Sequence, residues 1–298
     1  MSKAQSAGGG TWVRDFETQK IRKPHAILKV PDFDLQLTLE SGQVFHTEQE
    51  GDLWKILFGS HLLAVRQIGE HLEIFSGSEA EVGCYFALDH PMSAIHASFP
   101  KDAYSQAALS RGRGMRILRQ PAWECLATFI TSSMKQVAHI RQMSLAIRSR
   151  FGTPVLGSAV SAYPDPSRLA GLAEQSLRDC GLGFRAKNLI GTARAVDAGI
   201  ADLEAWRALP TDDLREKLCT LPGVGRKVAN CVLLFAYERL EAVPVDVWIA
   251  RIATAMRKRK SSPLKLEEFS VRRFGPYAGY VQQYLFHHAR TTGKLPGQ

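Results

Sequence analysis

Apolar residues follow two different periods along the chain, and the change of period divides the sequence in two. From Leu35 to Phe75 they mostly alternate with polar residues, a pattern typical of half-buried strands. Pairs such as Gly59-Ser60 interrupt the alternation and indicate turns. We therefore expect an antiparallel sheet of about four to six strands, with strands at residues 35–39, 43–45, 53–58, 62–68 and 71–75.

Beyond about Gly83 the apolar residues recur at helical spacing. Trp123, Leu126 and Phe129 share the buried face of a helix that begins near Pro121, and further helices are expected at 137–151, 172–180, 186–198 and close to the C-terminus. The pattern predicts an α+β fold. It consists of a flexible tail at residues 1–26, an antiparallel β-sheet domain at 27–112 and a helical domain at 113–298.

Two of the helices are expected to form a hairpin over residues 211–238. Thr211 offers a cap for the first helix, Pro222-Gly223 ends it, and the second helix begins near Arg226. Gly223 and Gly225 permit backbone angles that residues with a Cβ avoid, so amide groups can face outward at the start of the second helix. Such a hairpin fits a phosphate group.

Lys227 and Asp246 are the candidate chemical groups beside this hairpin. Lys227 lies in the first turn of the second helix, where the positive helix end and Arg226 should favour a neutral, nucleophilic amine. The extended segment at 243–245 can bring the chain back, and Asp246 then caps the following helix. Taken alone, such a Lys is usually a solvated charge and such an Asp only a cap.

The motif Leu-Pro-Gly-Val-Gly-x-Lys at 221–227, followed by Val-Pro-Val-Asp at 243–246, resembles the helix-hairpin-helix and Gly/Pro-Asp signature of DNA base-excision glycosylases. Within them the Lys marks enzymes that also cut at the abasic site. Ser41-Gly42-Gln43-x-Phe45, residues 181–186 and residues 275–279 occur in the order found in 8-oxoguanine DNA glycosylases. The resemblance spans roughly Leu35 to Phe286 and implies a bifunctional glycosylase and abasic-site lyase.

The resemblance assigns a base pocket to four residues. Cys231 and Phe286 would sandwich an oxidised base that has left the duplex, and Gln282 would bind its pairing edge. Gly42 would direct its carbonyl at N7, which carries a proton in 8-oxoguanine but is an acceptor in guanine. The carbonyl would therefore attract the lesion and repel guanine.

The resemblance also implies contacts with the duplex, through Phe184, Arg185, His139, Gly223, Gly225 and Val247. Phe184 looks like a wedge that fills the vacated stack, and Arg185 like a reader of the orphaned base. Animal-type relatives carry an Asn run and an Arg where this chain has Met134 and His139, and commonly a His in place of Trp248. We therefore expect relaxed selectivity for the base opposite the lesion.

Composition agrees with a nucleic-acid partner. The 298 residues have a formal net charge of +9 and a pI near 9.4, which favours a polyanion such as DNA over an anionic membrane surface. No apolar run suits a membrane span or a signal peptide. We expect a soluble intracellular monomer, in the cytoplasm and nucleoid or in a nucleus.

The five cysteines are scattered along the chain, which suggests reduced thiols. None follows Cys231, where some related glycosylases bind an iron–sulfur cluster, so we expect no cluster and no required cofactor. The resemblance does imply that a structural metal ion could be held by the main-chain carbonyls of Cys219, Leu221 and Val224.

The sequence thus supports the hypothesis of an enzyme that removes 8-oxoguanine from double-stranded DNA and cleaves the abasic site through a Lys227 Schiff base. Two alternatives stay open: a glycosylase for other oxidised or alkylated bases, and a non-catalytic helix-hairpin-helix protein that only binds DNA. Asp246 and the aromatic pocket disfavour the second, because phosphate binding needs neither.

Overall fold

The computed structural model describes residues 23–132 and 136–297. Within them a five-stranded sheet precedes a larger helical region. The strands are β1 (Ala26–Lys29), β2 (Glu48–Glu50), β3 (Leu53–Phe58), β4 (His61–Ile68) and β5 (His71–Ser76). They lie in the order β1-β5-β4-β3-β2, and every neighbouring pair is antiparallel.

Helices form most of the remaining described chain. In the first half of the chain they are α1 (Leu35–Glu40), α2 (Glu79–Tyr85), α3 (Met92–Ala97), α4 (Ala103–Gly112), α5 (Ala122–Thr131) and α6 (Val137–Phe151). In the second half they are α7 (Pro166–Ala170), α8 (Glu174–Arg178), α9 (Arg185–Asp197), α10 (Thr211–Cys219), α11 (Arg226–Ala236), α12 (Val247–Arg257), α13 (Pro263–Phe274) and α14 (Ala278–Thr292). The α+β prediction is confirmed.

The sheet buries one face against the helices that follow it. Ile56, Val65 and Ile74 lie on this face of β3, β4 and β5, and Trp54 pairs directly with Val65. They pack in one cluster with Tyr85 at the end of α2. The expected strands at 53–58, 62–68 and 71–75 are confirmed because their alternation matches a sheet with one covered face.

The strand expected at 35–39 is wrong, because these residues form helix α1. Leu35 and Leu39 are four residues apart, so a helix buries both on one face, and the Asp34 carboxylate accepts a hydrogen bond from the Leu37 amide at 2.8 Å. Residues 43–45 are likewise not a strand. The two strands that complete the sheet are the short β1 and β2.

Helix α11 lies at the centre of the helical region. Every residue from Val228 to Ala236 is buried, and α5 and α10 pack against it. The helix expected at 137–151 is confirmed as α6, and those expected at 172–180 and 186–198 appear as the shorter α8 and as α9. Thr211 is not the cap of α10: Pro210 holds the cap position, and the Thr211 hydroxyl donates to Glu241.

Buried polar groups connect the segment between β1 and β2 to the helical region. The Gln43 side chain donates to the Arg116 carbonyl at 2.7 Å and accepts from the Leu118 amide at 3.0 Å. Nearby, Glu124 of α5 forms a buried ion pair with Arg148 of α6, and His46 Nδ1 lies 3.3 Å from the same carboxylate. The bonds of Gln43 fix the turn at Ser41–Gln43 relative to the segment that leads into α5.

Candidate active site

The hairpin between α10 and α11 exposes its turn to solvent. Gly223 has a φ of 79°, and a Cβ at this position would lie 2.7 Å from Asn188 Cβ, so both the backbone angle and the space require glycine. Gly225 is the N-cap of α11. The first amides of α11 therefore face outward beside an exposed turn, as phosphate binding requires.

Asn230 joins the hairpin to the segment that leads to Asp246. Its Oδ1 accepts from Arg215 Nε of α10 at 2.8 Å, and its Nδ2 donates to the Val243 carbonyl at 3.0 Å. The side chain is completely buried. One amide thus fixes both hairpin helices and the returning chain in a single arrangement.

Lys227 is half-buried in the first turn of α11. Its amine donates to Ser132 Oγ at 3.2 Å and lies 5.4 Å from the centre of the Phe129 ring. The Ser132 hydroxyl itself donates to the Phe129 carbonyl at 2.7 Å, so its oxygen is oriented to accept from the lysine. The end of α5 therefore determines where the amine lies.

Arg226 does not provide the isolated positive charge expected beside Lys227. Its guanidinium forms two hydrogen bonds with Glu267 of α13, at 2.7 and 2.9 Å. This pairing raises the pKa of Arg226 and engages its charge away from the lysine. The start of α11, the Phe129 ring and the Ser132 hydroxyl adjoin the amine.

Asp246 is the N-cap of α12, as the sequence predicted. Its carboxylate accepts a hydrogen bond from the Ile249 amide at 2.8 Å. Burial raises the pKa of this carboxyl, whereas the Ile249 amide and the charge of Lys227 act in the opposite direction. The Lys227 amine and the Asp246 carboxylate thus interact electrostatically at the starts of two successive helices.

Cys231 lies one turn after Lys227 on the same face of α11. Burial raises the pKa of its thiol, while a contact with the Lys227 amine lowers it. Cys125 of α5 is also buried nearby, and burial raises the pKa of its thiol well above the ordinary value. Both sulfurs are therefore neutral thiols near pH 7 and form an apolar surface beside the amine.

The side of Gly42 that a side chain would occupy faces Phe286. Gly42 has a φ of 91°, and a Cβ built there would lie 3.5 Å from Phe286 Cε1. Gln282 lies one turn before Phe286 on α14, and its buried Oε1 has no hydrogen-bond partner among the residues that the structure describes. A buried amide oxygen without a partner is a costly arrangement unless a ligand supplies the donor.

The aromatic pair of Phe45 and Phe129 links the surroundings of Gly42 to Lys227. The Phe129 ring, which lies below Lys227, is 6.0 Å from the Phe45 ring. Phe45 and Gly42 also line a cavity of about 270 Å³, together with Trp54 and Arg141. Cys231, Gln282 and Phe286 do not line that cavity.

The residues expected to contact DNA occupy different environments. Phe184 and Val247 are exposed apolar side chains, at 61% and 66%, and His139 is exposed on α6. Arg185 is instead buried, and its guanidinium lies 4.4 Å from the centre of the Phe184 ring. Met134 lies outside the described residues.

Three residues near the site are not predicted from the sequence to have a role there: Ser132, Phe129 and Asn230. Phe129 carries an ordinary core periodicity, and Ser132 follows the end of a helix. Asn230 is the one that the sequence could have indicated, because an amide inside an otherwise apolar helix needs buried partners. Their roles depend on contacts between distant parts of the chain.

Comparison with known proteins agrees with this architecture. Residues 26–126 match the family described as 8-oxoguanine DNA glycosylase, N-terminal domain, and residues 127–275 match that described as HhH-GPD superfamily base excision DNA repair protein. A probable N-glycosylase/DNA lyase of Methanothermobacter thermautotrophicus is 31% identical over 304 residues, covering 90% of this chain and 97% of the relative. N-glycosylase/DNA lyase OGG1 of Arabidopsis thaliana is 31% identical over 90% of this chain and 79% of its own length.

Among solved structures, the apo form of Clostridium acetobutylicum 8-oxoguanine glycosylase/lyase superposes with a TM-score of 0.83. It is 29% identical, and the match covers 90% of this chain and 97% of that one. The chain belongs to the HhH-GPD superfamily of base-excision repair proteins and, within it, to the 8-oxoguanine DNA glycosylases. It is a bifunctional DNA N-glycosylase and abasic-site lyase.

No helix among the described residues is both long and apolar enough to cross a membrane.

Proposed function

We propose that Lys227 is the nucleophile that links base excision to strand cleavage. Its neutral amine attacks C1′ of the extruded nucleotide, and the glycosidic bond breaks with its electron pair leaving on the base, which takes up a proton. The sugar ring then opens to a Schiff base with Lys227. Loss of a C2′ proton expels the 3′ phosphate by β-elimination and cleaves the strand.

Asp246 stabilises the positive charge that develops on the sugar as the glycosidic bond breaks. The carboxylate is held by the Ile249 amide and interacts with Lys227, so it needs no reorganisation when the charge appears. Burial strengthens this effect, because the surroundings screen the charge less than water does. The same hydrogen bond caps α12 and holds the Asp246 carboxylate in one position.

The base pocket consists of Gly42, Cys231, Gln282 and Phe286. The buried Gln282 oxygen, which has no partner in the described part of the chain, is the observation that supports this assignment most directly, because the pairing edge of a purine supplies the missing donors. The relative from Clostridium acetobutylicum was solved with double-stranded DNA containing cytosine opposite 8-oxoguanine, which favours the same lesion here. The Gly42 carbonyl would then select N7–H.

Duplex binding would use the exposed hairpin and the apolar side chains around it. Gly223 and Gly225 would bring main-chain amides close to the DNA phosphates, with Val247 beside them. The exposed Phe184 would enter the base stack of the duplex. The exposed His139 would face the orphaned base, and Arg185 would read that base from its buried position beside the Phe184 ring. His139 has fewer donors and a shorter reach than an arginine, so selectivity for the opposite base would be relaxed.

The hairpin also suits a structural cation. Among the described residues, no hydrogen bond ends on the carbonyl oxygen of Cys219 or Val224, while the Leu221 carbonyl accepts one from the Val224 amide at 3.1 Å. Oxygen ligands of this kind bind hard cations. Such an ion would rigidify the turn and would take no part in bond breaking.

Borohydride trapping tests the assignment of Lys227. With a duplex containing 8-oxoguanine, reduction should convert the Schiff base into a stable protein–DNA cross-link. Lys227→Gln should abolish the cross-link, whereas Lys217→Gln, which alters an exposed lysine of the same hairpin, should leave it unchanged. An undiminished cross-link in Lys227→Gln would refute the proposal.

A further inference from the structure

Arg290 of α14 contacts the turn at residues 40–43, which contains Gly42. Its Nη2 donates to the Glu40 carbonyl at 2.6 Å, and its guanidinium carbon lies 5.6 Å from the centre of the Phe286 ring. Its Nη1 lies 3.1 Å from the place that a Cβ on Gly42 would occupy. The half-buried Arg290 guanidinium therefore lies against the Gly42 turn, beside the space that a Gly42 side chain would fill and next to the Phe286 ring.

The backbone on both sides of Gly42 is fixed by side chains. Arg290 binds the Glu40 carbonyl, Gln283 Nε2 donates to the Ser41 carbonyl at 3.2 Å, and Gln120 Nε2 donates to the Gln43 carbonyl at 3.0 Å. In the part of the chain that the structure describes, no hydrogen bond ends on the Gly42 carbonyl itself. The neighbouring carbonyls are engaged, and that of Gly42 is left to accept from a ligand.

Arg290 couples the carbonyl to the ring. Phe286 and Arg290 are four residues apart on α14, so they lie on the same side of the helix. A shift of the guanidinium would move the Glu40–Gly42 backbone and remove the support behind Phe286. The height of an acceptor above an aromatic plane decides whether the acceptor lies level with N7 of a purine stacked on that plane, because a hydrogen bond weakens steeply when its length or angle changes.

We propose that Arg290 is a positioning residue that determines lesion specificity by holding the Gly42 carbonyl at a fixed distance from the Phe286 ring. The inference rests on the proposed role of Gly42 in recognising N7–H. Arg290 does not touch the reacting atoms, and it acts through Gly42 and Phe286.

The test measures dissociation constants for two duplexes that differ only in 8-oxoguanine or guanine, in a Lys227→Gln background that prevents turnover. Arg290→Met keeps the length and apolar contact of the side chain but removes its donors. The preference for 8-oxoguanine should fall by at least about tenfold, a loss typical of a hydrogen bond from a charged group. Arg290→Lys, which keeps a charged donor, should retain most of the preference.

Arg194→Met is the matched control, because Arg194 also donates to a main-chain carbonyl, that of Ala170, but lies far from the pocket residues in sequence and is exposed. It should leave the preference unchanged. Thermal midpoints are measured for all variants, and Arg290→Leu, which also lacks donors, replaces Arg290→Met if the latter does not fold.

The outcomes separate this inference from the role of Gly42. If Arg290→Met weakens binding of both duplexes equally, Arg290 only supports the fold and the inference is wrong. If Gly42→Ala abolishes the preference while Arg290→Met keeps it, the role of Gly42 stands and that of Arg290 fails. If Gly42→Ala keeps the full preference, the proposed recognition of N7–H fails, and the inference fails with it.

Discussion

Asp246→Asn should separate the catalytic role of Asp246 from its role as a helix cap. The asparagine amide can still accept from the Ile249 amide, and Asp and Asn are about equally good caps. It carries no charge, however, and removing one preorganised electrostatic group commonly slows a reaction by about 10²–10³-fold, or roughly 2.7–4 kcal/mol. Excision should fall by this factor while lesion binding is kept.

Stability should not fall with activity. Burial raises the pKa of Asp246, so its ionised form is less favourable in the folded protein than in the unfolded chain. Ionisation therefore destabilises the fold above the folded-state pKa, and this effect disappears as the pH falls below the ordinary value of 3.8. At neutral pH the thermal midpoint of Asp246→Asn should equal or exceed that of wild type, and the difference should shrink in acid.

The assay is single-turnover excision from an 8-oxoguanine duplex between about pH 4 and pH 8, a range that extends upward from near the ordinary carboxyl pKa. Wild-type activity should increase as Asp246 ionises, and the residual activity of Asp246→Asn should lack that increase. Asp213→Asn, at an exposed acid in the first turn of α10, is the control. A rate for Asp246→Asn within about threefold of wild type, roughly 0.7 kcal/mol, would show that Asp246 is only a cap.

Ser132→Ala removes the acceptor that orients Lys227, so single-turnover excision should slow by about tenfold, and an unchanged rate would contradict that role. Glu124→Gln leaves Arg148 buried without its counter-charge, which should cost about 3–5 kcal/mol in urea unfolding. Asp212 is exposed, so its ion pair with the largely buried Arg215 should contribute less than about 1 kcal/mol when Asp212 becomes Asn. Excision opposite adenine or thymine should lie within about tenfold of that opposite cytosine, near 1.4 kcal/mol, and a cytosine preference above about a hundredfold would refute relaxed selectivity.

The catalytic hairpin could be predicted because its signals are local. Gly223 must adopt a positive φ, and Asp246 directly precedes the helix that it caps, so each signal lies within a few residues of its effect. Local signals were also where the prediction failed. Leu35, Leu37 and Leu39 fit both a strand and a helical i, i+4 pair, and the Asp34 cap decides for the helix.

Contacts between distant segments could not be read from the sequence. Arg226 is next to Lys227 in the sequence, which predicts that its charge acts on the lysine. The guanidinium of Arg226 instead pairs with Glu267, forty-one positions along the chain. Arg290 meets Glu40 across a sequence separation of 250 residues. Neither partner is indicated by spacing or periodicity, since each depends on how α13 and α14 pack against the rest of the fold.

The single buried amide of Asn230 has a consequence for how the enzyme searches DNA. Because that amide bonds to both α10 and the segment before Asp246, the amine and the carboxylate hold their relative position before any nucleotide arrives. No ordering of the enzyme then accompanies each encounter with an undamaged base pair. The free-energy cost of inspection falls on the duplex, as unstacking and unpairing of the base. We therefore expect the rate of inspection to follow how readily each base pair opens, rather than a closing motion of the hairpin.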